Sequence, residues 1–320
     1  MGDFSADWLA LREAADTRAR CAHLVQRLAG WLSQRAAQAG NPTAPLTVLD
    51  LGCGTGANLR YLAPRLSPCL NVPQRWICLD RDRELLAALP RRTAEWAGGL
   101  GLPTAAQADG LRIQGPAAPW EIHTWTFDLA SGAAALDLDR GTLVSASALL
   151  DLVSEPWLAG LIGRCHAARA PLLLALTYDG RVVIEPGHPL DQRVIGLVNT
   201  HQRRDKGFGP ALGPGATVRL AQLAQAMGFS VELADSDWLL DPDETGIQSV
   251  LTEGWAAAAL EQADAHPGSQ RKALKASIQQ WRAVRQAGID GRRSRIRVGH
   301  QDALLLPISK ALPGSGSRER

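Results

Sequence analysis

The sequence predicts an α/β fold in which a mostly parallel sheet is covered by helices on both faces. Short apolar runs alternate with stretches of helical period along most of the chain, and a glycine-rich turn, Gly52-Cys-Gly-Thr-Gly56, joins the first run to the helix after it. Strands spaced by helices pair in parallel, because each crossover needs a connection of helix length. The 320 residues, 46% hydrophobic and 21% charged, suit a folded domain and exclude a disordered chain, a collagen-like fibre or a coiled-coil rod.

Residues 5–38 read as one N-terminal helix, with Trp8, Leu9, Leu11, Ala15, Ala22, Leu24, Val25, Leu28 and Leu32 recurring at three-to-four spacing. The prolines and turn formers of Gly40–Pro45 end it. Seven strands are expected, at 46–51, 75–80, 121–129, 142–148, 171–178, 230–240 and 294–306. Helices are expected at 57–66, 82–89, 151–165, 217–227, 243–264 and 269–287, while the Gly-, Pro- and Ala-rich stretch 90–120 reads as an irregular connection. Segment 181–216 carries Pro-Gly and Gly-Pro dipeptides around a helical stretch at 190–204, and a connection of that length is expected to be a lid or binding loop. The organisation expected is a helical cap (1–40), one domain (41–310) containing the 181–216 lid, and a disordered Gly-Ser-Arg tail (311–320).

With 34 basic and 32 acidic residues, the net charge of +2 gives no reason for a polyanion to bind the whole surface. The five cysteines form no C-x-x-C pair and read as reduced thiols, and no His/Asp/Glu cluster has the spacing of a metal site. No apolar run approaches the ~20 residues of a membrane span, and no basic-then-apolar leader opens the chain. The expectation is a cytoplasmic protein with no membrane partner.

The most informative stretch is Val48-Leu-Asp-Leu-Gly-Cys-Gly-Thr-Gly56, a strand, a glycine turn and a helix start. Glycines there permit a sharp turn and close approach of a ligand to the backbone. Gly52-x-Gly54-x-x-Ala57 also satisfies the relaxed dinucleotide fingerprint. Asp50, however, stands at the carboxyl end of the strand, where it would repel a pyrophosphate and suit an ammonium or sulfonium cation. The alternative for Asp50 is a buried structural acid.

These nine residues resemble the signature loop of class I S-adenosylmethionine-dependent methyltransferases. The resemblance implies a Rossmann-like sheet of seven strands in the order 3-2-1-4-5-7-6, strand 7 antiparallel. It also implies S-adenosyl-L-methionine as cofactor, held by Asp50, Gly52, Gly54 and Gly56 of the loop. Asp80, ending the second strand, falls where the family places an acid on the ribose hydroxyls; its alternative is a helix cap. Asp128 and Leu129, ending the third, fall at the adenine, with Asp109 a competitor because the connection before that strand is long. Ser145, in the Ser145-Ala-Ser147 that ends the fourth strand, falls beside the reacting sulfur. Arg12, on a helix that folds over the cofactor in many such enzymes, is either a partner of the methionine carboxylate or a surface arginine.

The lid is expected to bring His201, Gln202, Asp205 or Lys206 to the methyl acceptor. His201 and Asp205 continue the face of Val194, Leu197 and Val198, and with Asp179 after the fifth strand they are the candidate catalytic groups: His201 a base, Asp205 its orienter. A base is needed only if the acceptor loses a proton. The alternative is a solvated helix end. The enclosing lid favours a small-molecule acceptor. Arg292–Arg297 raises RNA methylation as a second reading, but these arginines alternate with smaller residues as on a strand with one wet face, and no RNA-binding aromatic motif accompanies them. A non-catalytic S-adenosylmethionine-binding protein is the third.

Overall fold

The computed structural model describes residues 5–38, 44–265 and 267–308. The tail expected at 311–320, and most of the break expected at 40–45, lie outside these residues. The single helix expected over 5–38 is two, α1 (Ala6–Ala19) and α2 (Ala22–Gln38). Ser5 caps α1, its hydroxyl accepting from Trp8 N–H. Arg20 then leaves helical geometry (φ −58°, ψ 140°), and the Cys21 N–H is taken by Asp302 at 2.8 Å. A distant acceptor fixes this break, so helical periodicity does not register it.

One sheet holds β1 (Leu46–Leu51), β2 (Gln74–Asp80), β3 (Thr104–Gln107), β4 (Gly110–Ile113), β5 (Trp120–Thr126), β6 (Leu143–Ser147), β7 (Leu172–Glu185), β8 (Phe229–Asp235), β9 (Trp238–Leu240) and β10 (Arg295–Pro307). Its order is β3-β4-β5-β2-β1-β6-β7-β10-β8, with β9 also paired to β10. The strands β5, β2, β1, β6 and β7 run parallel, and β10 is antiparallel to β7, β8 and β9.

The described residues thus contain ten strands where seven were expected. The stretch read as irregular holds the end of α4 (Arg83–Gly99) and a hairpin of β3 and β4. All four β3 positions are exposed, so no apolar alternation marks it. The strand expected at 230–240 is β8 and β9, separated at Ser236 and Asp237, and β7 runs on to Glu185 into the segment read as a lid.

The remaining helices are α3 (Ala57–Leu70), α5 (Glu155–Ala168), α6 (Asp191–Gln202), α7 (Ala216–Ala226), α8 (Thr245–Ala263) and α9 (Gly268–Asp290). Alternation along β1 divides the core between the two faces of the sheet. Leu46 and Val48 pack with residues of α2, α3 and α4, whereas Leu49 and Leu51 pack with α5 and α7. A third cluster joins α1, α6, α8 and α9 to the far half of β7, to β9 and to the start of β10. This helical layer brings α1 over the carboxyl ends of β1 and β6. No helix among the described residues is long and apolar enough to cross a membrane.

Candidate functional site

A cleft opens above the carboxyl ends of β1, β2, β5 and β6, where ligands bind in open α/β sheets. Its floor is the turn after β1. Gly52, Gly54 and Gly56 all have positive φ (64°, 53° and 86°), a conformation that glycine adopts without the clash a side chain brings. Gly52 and Gly54 line the cleft, whereas Gly56 caps α3 beneath it.

Three backbone donors of this turn are already engaged. Cys53 N–H goes to Leu79 O (3.0 Å) and Gly56 N–H to Cys53 O (2.9 Å), while Gly54 N–H goes to Asp80 Oδ2 at 2.8 Å. The other Asp80 oxygen takes Asp82 N–H at 3.0 Å. A carboxylate offers about four lone-pair positions, so Asp80, on the cleft wall, keeps acceptor capacity for a ligand. Asp82 caps α4 through Glu84 and Leu85 N–H, which leaves the cap reading of Asp80 without a role. Asp128 and Leu129 also line the cleft. Asp128 caps a short 3₁₀ turn through Ala130 N–H, and Phe127 and Leu149 add apolar surface beside it. Asp109 lies elsewhere, at the tip of the β3–β4 hairpin, bonded to His123 at 2.7 Å.

Asp50 is not at the cleft surface. It is wholly buried, and Asn58, which does line the cleft, donates to its Oδ1 at 2.6 Å. Burial pushes the Asp50 carboxyl up to about 7, although the Asn58 bond and the Arg20 charge act against the shift. Among the described residues its Oδ2 has no hydrogen-bond partner. Ser145 is buried too, accepting from Asn58 and donating to Leu173 O. Two residues along β6, Ser147 reaches the cleft and accepts from Arg20 Nη2 at 2.8 Å.

Arg20 is the cation that sequence reasoning missed. It lines the cleft, donates to Asn58 Oδ1 at 2.6 Å and lies over the Tyr61 ring at 4.7 Å. Arg12 lines the cleft as well, but its guanidinium is paired with Asp16 at 3.0 and 3.1 Å and stacked on Trp238. Charge in the cleft is mixed: Asp80, Asp82 and Asp128 stand with Arg81 on the β2–β5 side, Arg12 and Arg20 stand with Asp16 on the α1–β6 side, and Lys206 enters from the turn after α6.

The expected catalytic groups are not brought to this cleft. His201 bonds Glu261 of α8 at 3.0 Å, and burial lowers its affinity for a proton. Asp205 cannot orient it, because α6 ends at Gln202 and the helical spacing to Asp205 is lost. Asp205 Oδ1 instead accepts from Gly207 and Gly209 N–H, at 2.7 and 3.0 Å. Asp179 is held by the Arg181 backbone and guanidinium. What the segment does bring to the cleft is Lys206 and Phe208.

Three of the four arginines in the basic run near the C-terminus are paired with acids. Arg292 pairs with Asp243, Arg295 with Asp241 and Arg297 with Asp237, which reduces the positive charge this run offers to RNA phosphates. Among the described residues no cluster of three His, Cys, Asp or Glu side chains could hold a metal.

No protein-family model matches the sequence, and no curated protein matches it either. Several solved structures align with the chain. Loganic acid methyltransferase with SAH is 11% identical over 97% of this chain and 98% of its own, with a TM-score of 0.48. A cyclopropane-fatty-acyl-phospholipid synthase-like protein from Lactobacillus casei is 12% identical over 92% and 98%, with a TM-score of 0.46. The cyclopropane synthase MmaA2 from Mycobacterium tuberculosis is 13% identical over 82% and 79%, with a TM-score of 0.39. At such identities and scores these likenesses bear no weight for function, which rests on the chemistry of the cleft.

Proposed function

We propose that the protein is an S-adenosylmethionine-dependent methyltransferase acting on a small molecule. One observation carries this reading over a dinucleotide enzyme. The glycine turn has committed the N–H groups of Cys53, Gly54 and Gly56 internally, and the Asp80 carboxylate sits on the turn where a pyrophosphate would need donors. A nucleoside bearing a sulfonium and an amino-acid tail meets neither obstacle.

The donor set fits such a ligand. Asp80 has acceptor capacity for vicinal ribose hydroxyls, and Asp128 with Leu129, Phe127 and Leu149 forms a polar-edged apolar slot for adenine. Arg20 supplies the positive charge that a methionine carboxylate needs, in place of the Asp16-paired Arg12. Asp50 and Ser145 act through Asn58, fixing its amide from behind. When bound, the cofactor supplies an electrophilic methyl group. The protein's part is to hold the acceptor in line and to exclude water, and positioning of this kind lowers a transfer barrier substantially.

Two elements cover the cleft, in keeping with a small acceptor. Leu9 of α1 approaches so closely that a Cβ on Gly54 would lie 2.9 Å from its Cδ1. From the other side, the Lys206–Phe208 turn reaches Arg81, whose Nη1 would lie 3.9 Å from a Cβ on Gly207.

Calorimetry tests the cofactor: S-adenosylhomocysteine is expected to bind and NADH not to, and the reverse result sinks the reading. Turnover is tested by offering labelled S-adenosylmethionine with a metabolite extract and, in parallel, with RNA. Label only in RNA would overturn the small-molecule acceptor, and binding without turnover on either would favour a non-catalytic binder.

A further inference from the structure

Lys206 is held at the cleft by a turn built to present it. Asp205 Oδ1 accepts from both Gly207 and Gly209 N–H, Asp205 bridges to Pro210, and both glycines take positive φ (99° and 87°). With Asp205 turned inward as the tie, Lys206 and Phe208 are the residues that face the cleft. Phe208 packs edge-on against Trp157 at 5.5 Å, and Leu149 and Leu152 continue that apolar wall.

Among the described residues Lys206 donates no hydrogen bond and makes no ion pair. Two acids act on it from a distance, Glu261 and Asp151. Glu261 is already shared by His201 and Arg204, and Asp151 is buried, its carboxyl pushed up to about 6 by that burial. The Lys206 ammonium is half-buried, and desolvation draws its pKa down. An anion placed on it would reverse that cost. One compact ammonium neutralises one charge, which suits a carboxylate better than a phosphate dianion.

We propose that the methyl acceptor is a small organic carboxylate with an apolar or aromatic body, its anion on Lys206 Nζ and its body against Phe208 and Leu152. This rests on the reading of the cleft as a methyltransferase site, so the cofactor is tested first, by titrating S-adenosylhomocysteine into wild type and the Lys206→Met variant. The saturated proteins are then titrated with phenylacetate, 3-phenylpropionate and hexanoate, each against its amide, with ligand-observed NMR as readout. Wild type is expected to prefer an acid over its amide tenfold or more. Lys206→Met is expected to erase that preference while S-adenosylhomocysteine affinity stays within twofold, and Lys206→Arg to retain most of it. Equal binding of acid and amide to wild type, no binding of either, or a preference that survives Lys206→Met overturns the assignment of the acceptor. Failure of wild type to bind S-adenosylhomocysteine overturns the cofactor reading itself and this proposal with it, and appears before any acid is added.

Discussion

Gly54 donates its backbone N–H to Asp80 Oδ2 at 2.8 Å, which makes the turn after β1 and the acid ending β2 one unit. Asp80 thereby has two tasks, bracing the turn and facing the ligand. Asp80→Asn removes the charge and sets an amide donor against either Gly54 or Asp82 N–H. Hydrogen bonds to charged groups contribute about 1.5–3 kcal/mol, so S-adenosylhomocysteine affinity by calorimetry is expected to fall between ten- and a hundredfold. An unchanged affinity would reduce Asp80 to a brace.

Gly54 also couples the turn to α1. An alanine there meets Leu9 Cδ1 at 2.9 Å and must hold φ near 53°. The left-handed backbone costs a non-glycine residue about 1–2 kcal/mol, and the contact adds to it. Leu9→Ala in the Gly54→Ala background is expected to relieve the contact and leave the backbone term. Urea denaturation of the four proteins of this cycle should therefore give a non-zero coupling; strict additivity would show that α1 does not press on the turn.

How far the site was legible follows from where its signals lie. The glycine turn and Asp80 were readable because a strand, a turn and a second strand are local patterns. Ser145 was read two residues too deep: Ser145 and Ser147 share a face of β6, and only the position of Asn58 decides which of them meets the cleft. Arg20 gave no signal because 5–38 reads as one helix, and the break at Arg20 depends on Asp302, far along the chain. His201 and Asp205 were paired on the assumption of continuous helix past Gln202. The actual turn is set by the Asp205 side chain and two glycines, and it exchanges Asp205 for Lys206 and Phe208 at the cleft. In the sheet, β3 escaped notice because a fully exposed strand carries no apolar alternation. Conversely, α4 was cut short at Pro90, although its buried face continues through Thr93 and Ala97.

Arg60 ties α1 to the glycine turn. Its side chain is 4% exposed, and it donates to both Glu13 oxygens at 2.7 Å, to Thr55 O at 2.6 Å and to Thr93 Oγ1 at 3.2 Å. Removing one partner of a buried pair strands the other, at about 3–5 kcal/mol. Glu13 is partly exposed and can rehydrate, so Arg60→Met is expected near the lower end of that range and Glu13→Gln, which leaves the arginine buried, nearer the upper. Denaturant midpoints decide the order, and equal small losses would mean the pair is screened.

Buried groups pull the pH dependence of stability in opposite directions, Asp50 and Asp151 one way and His300 the other. Asp50 titrates at about 7 in the fold against 3.8 for the free side chain, burial being the cause. Its contribution is complete below 3.8, where both states carry the proton, and is lost as pH rises through 7 because the unfolded chain ionises first. His300, lowered to about 4 from 6.5 by burial and then by Arg12, has the opposite sign: its contribution is complete above 6.5 and is lost as pH falls through 4. Between pH 4 and 6.5 the folded state therefore holds one proton more at Asp50 and one fewer at His300, and the two slopes, about 1.4 kcal/mol per pH unit each, oppose one another; Asp151, raised by burial from 3.8 to about 6, adds to the Asp50 slope over most of this window. Single variants should separate them. Asp50→Asn keeps an oxygen for Asn58 and is expected to shift the slope of stability against pH in the positive direction in this window. His300→Phe keeps a ring against Trp238 and Tyr178, and is expected to make stability rise less steeply or fall. The Nδ1–Val298 O hydrogen bond that His300→Phe loses costs a constant amount wherever the folded ring is neutral, above about pH 4, so the slope of ΔG against pH in this window, and not its level, is the measurement. Parallel curves for both variants and wild type would show that neither group is held away from its free pKa.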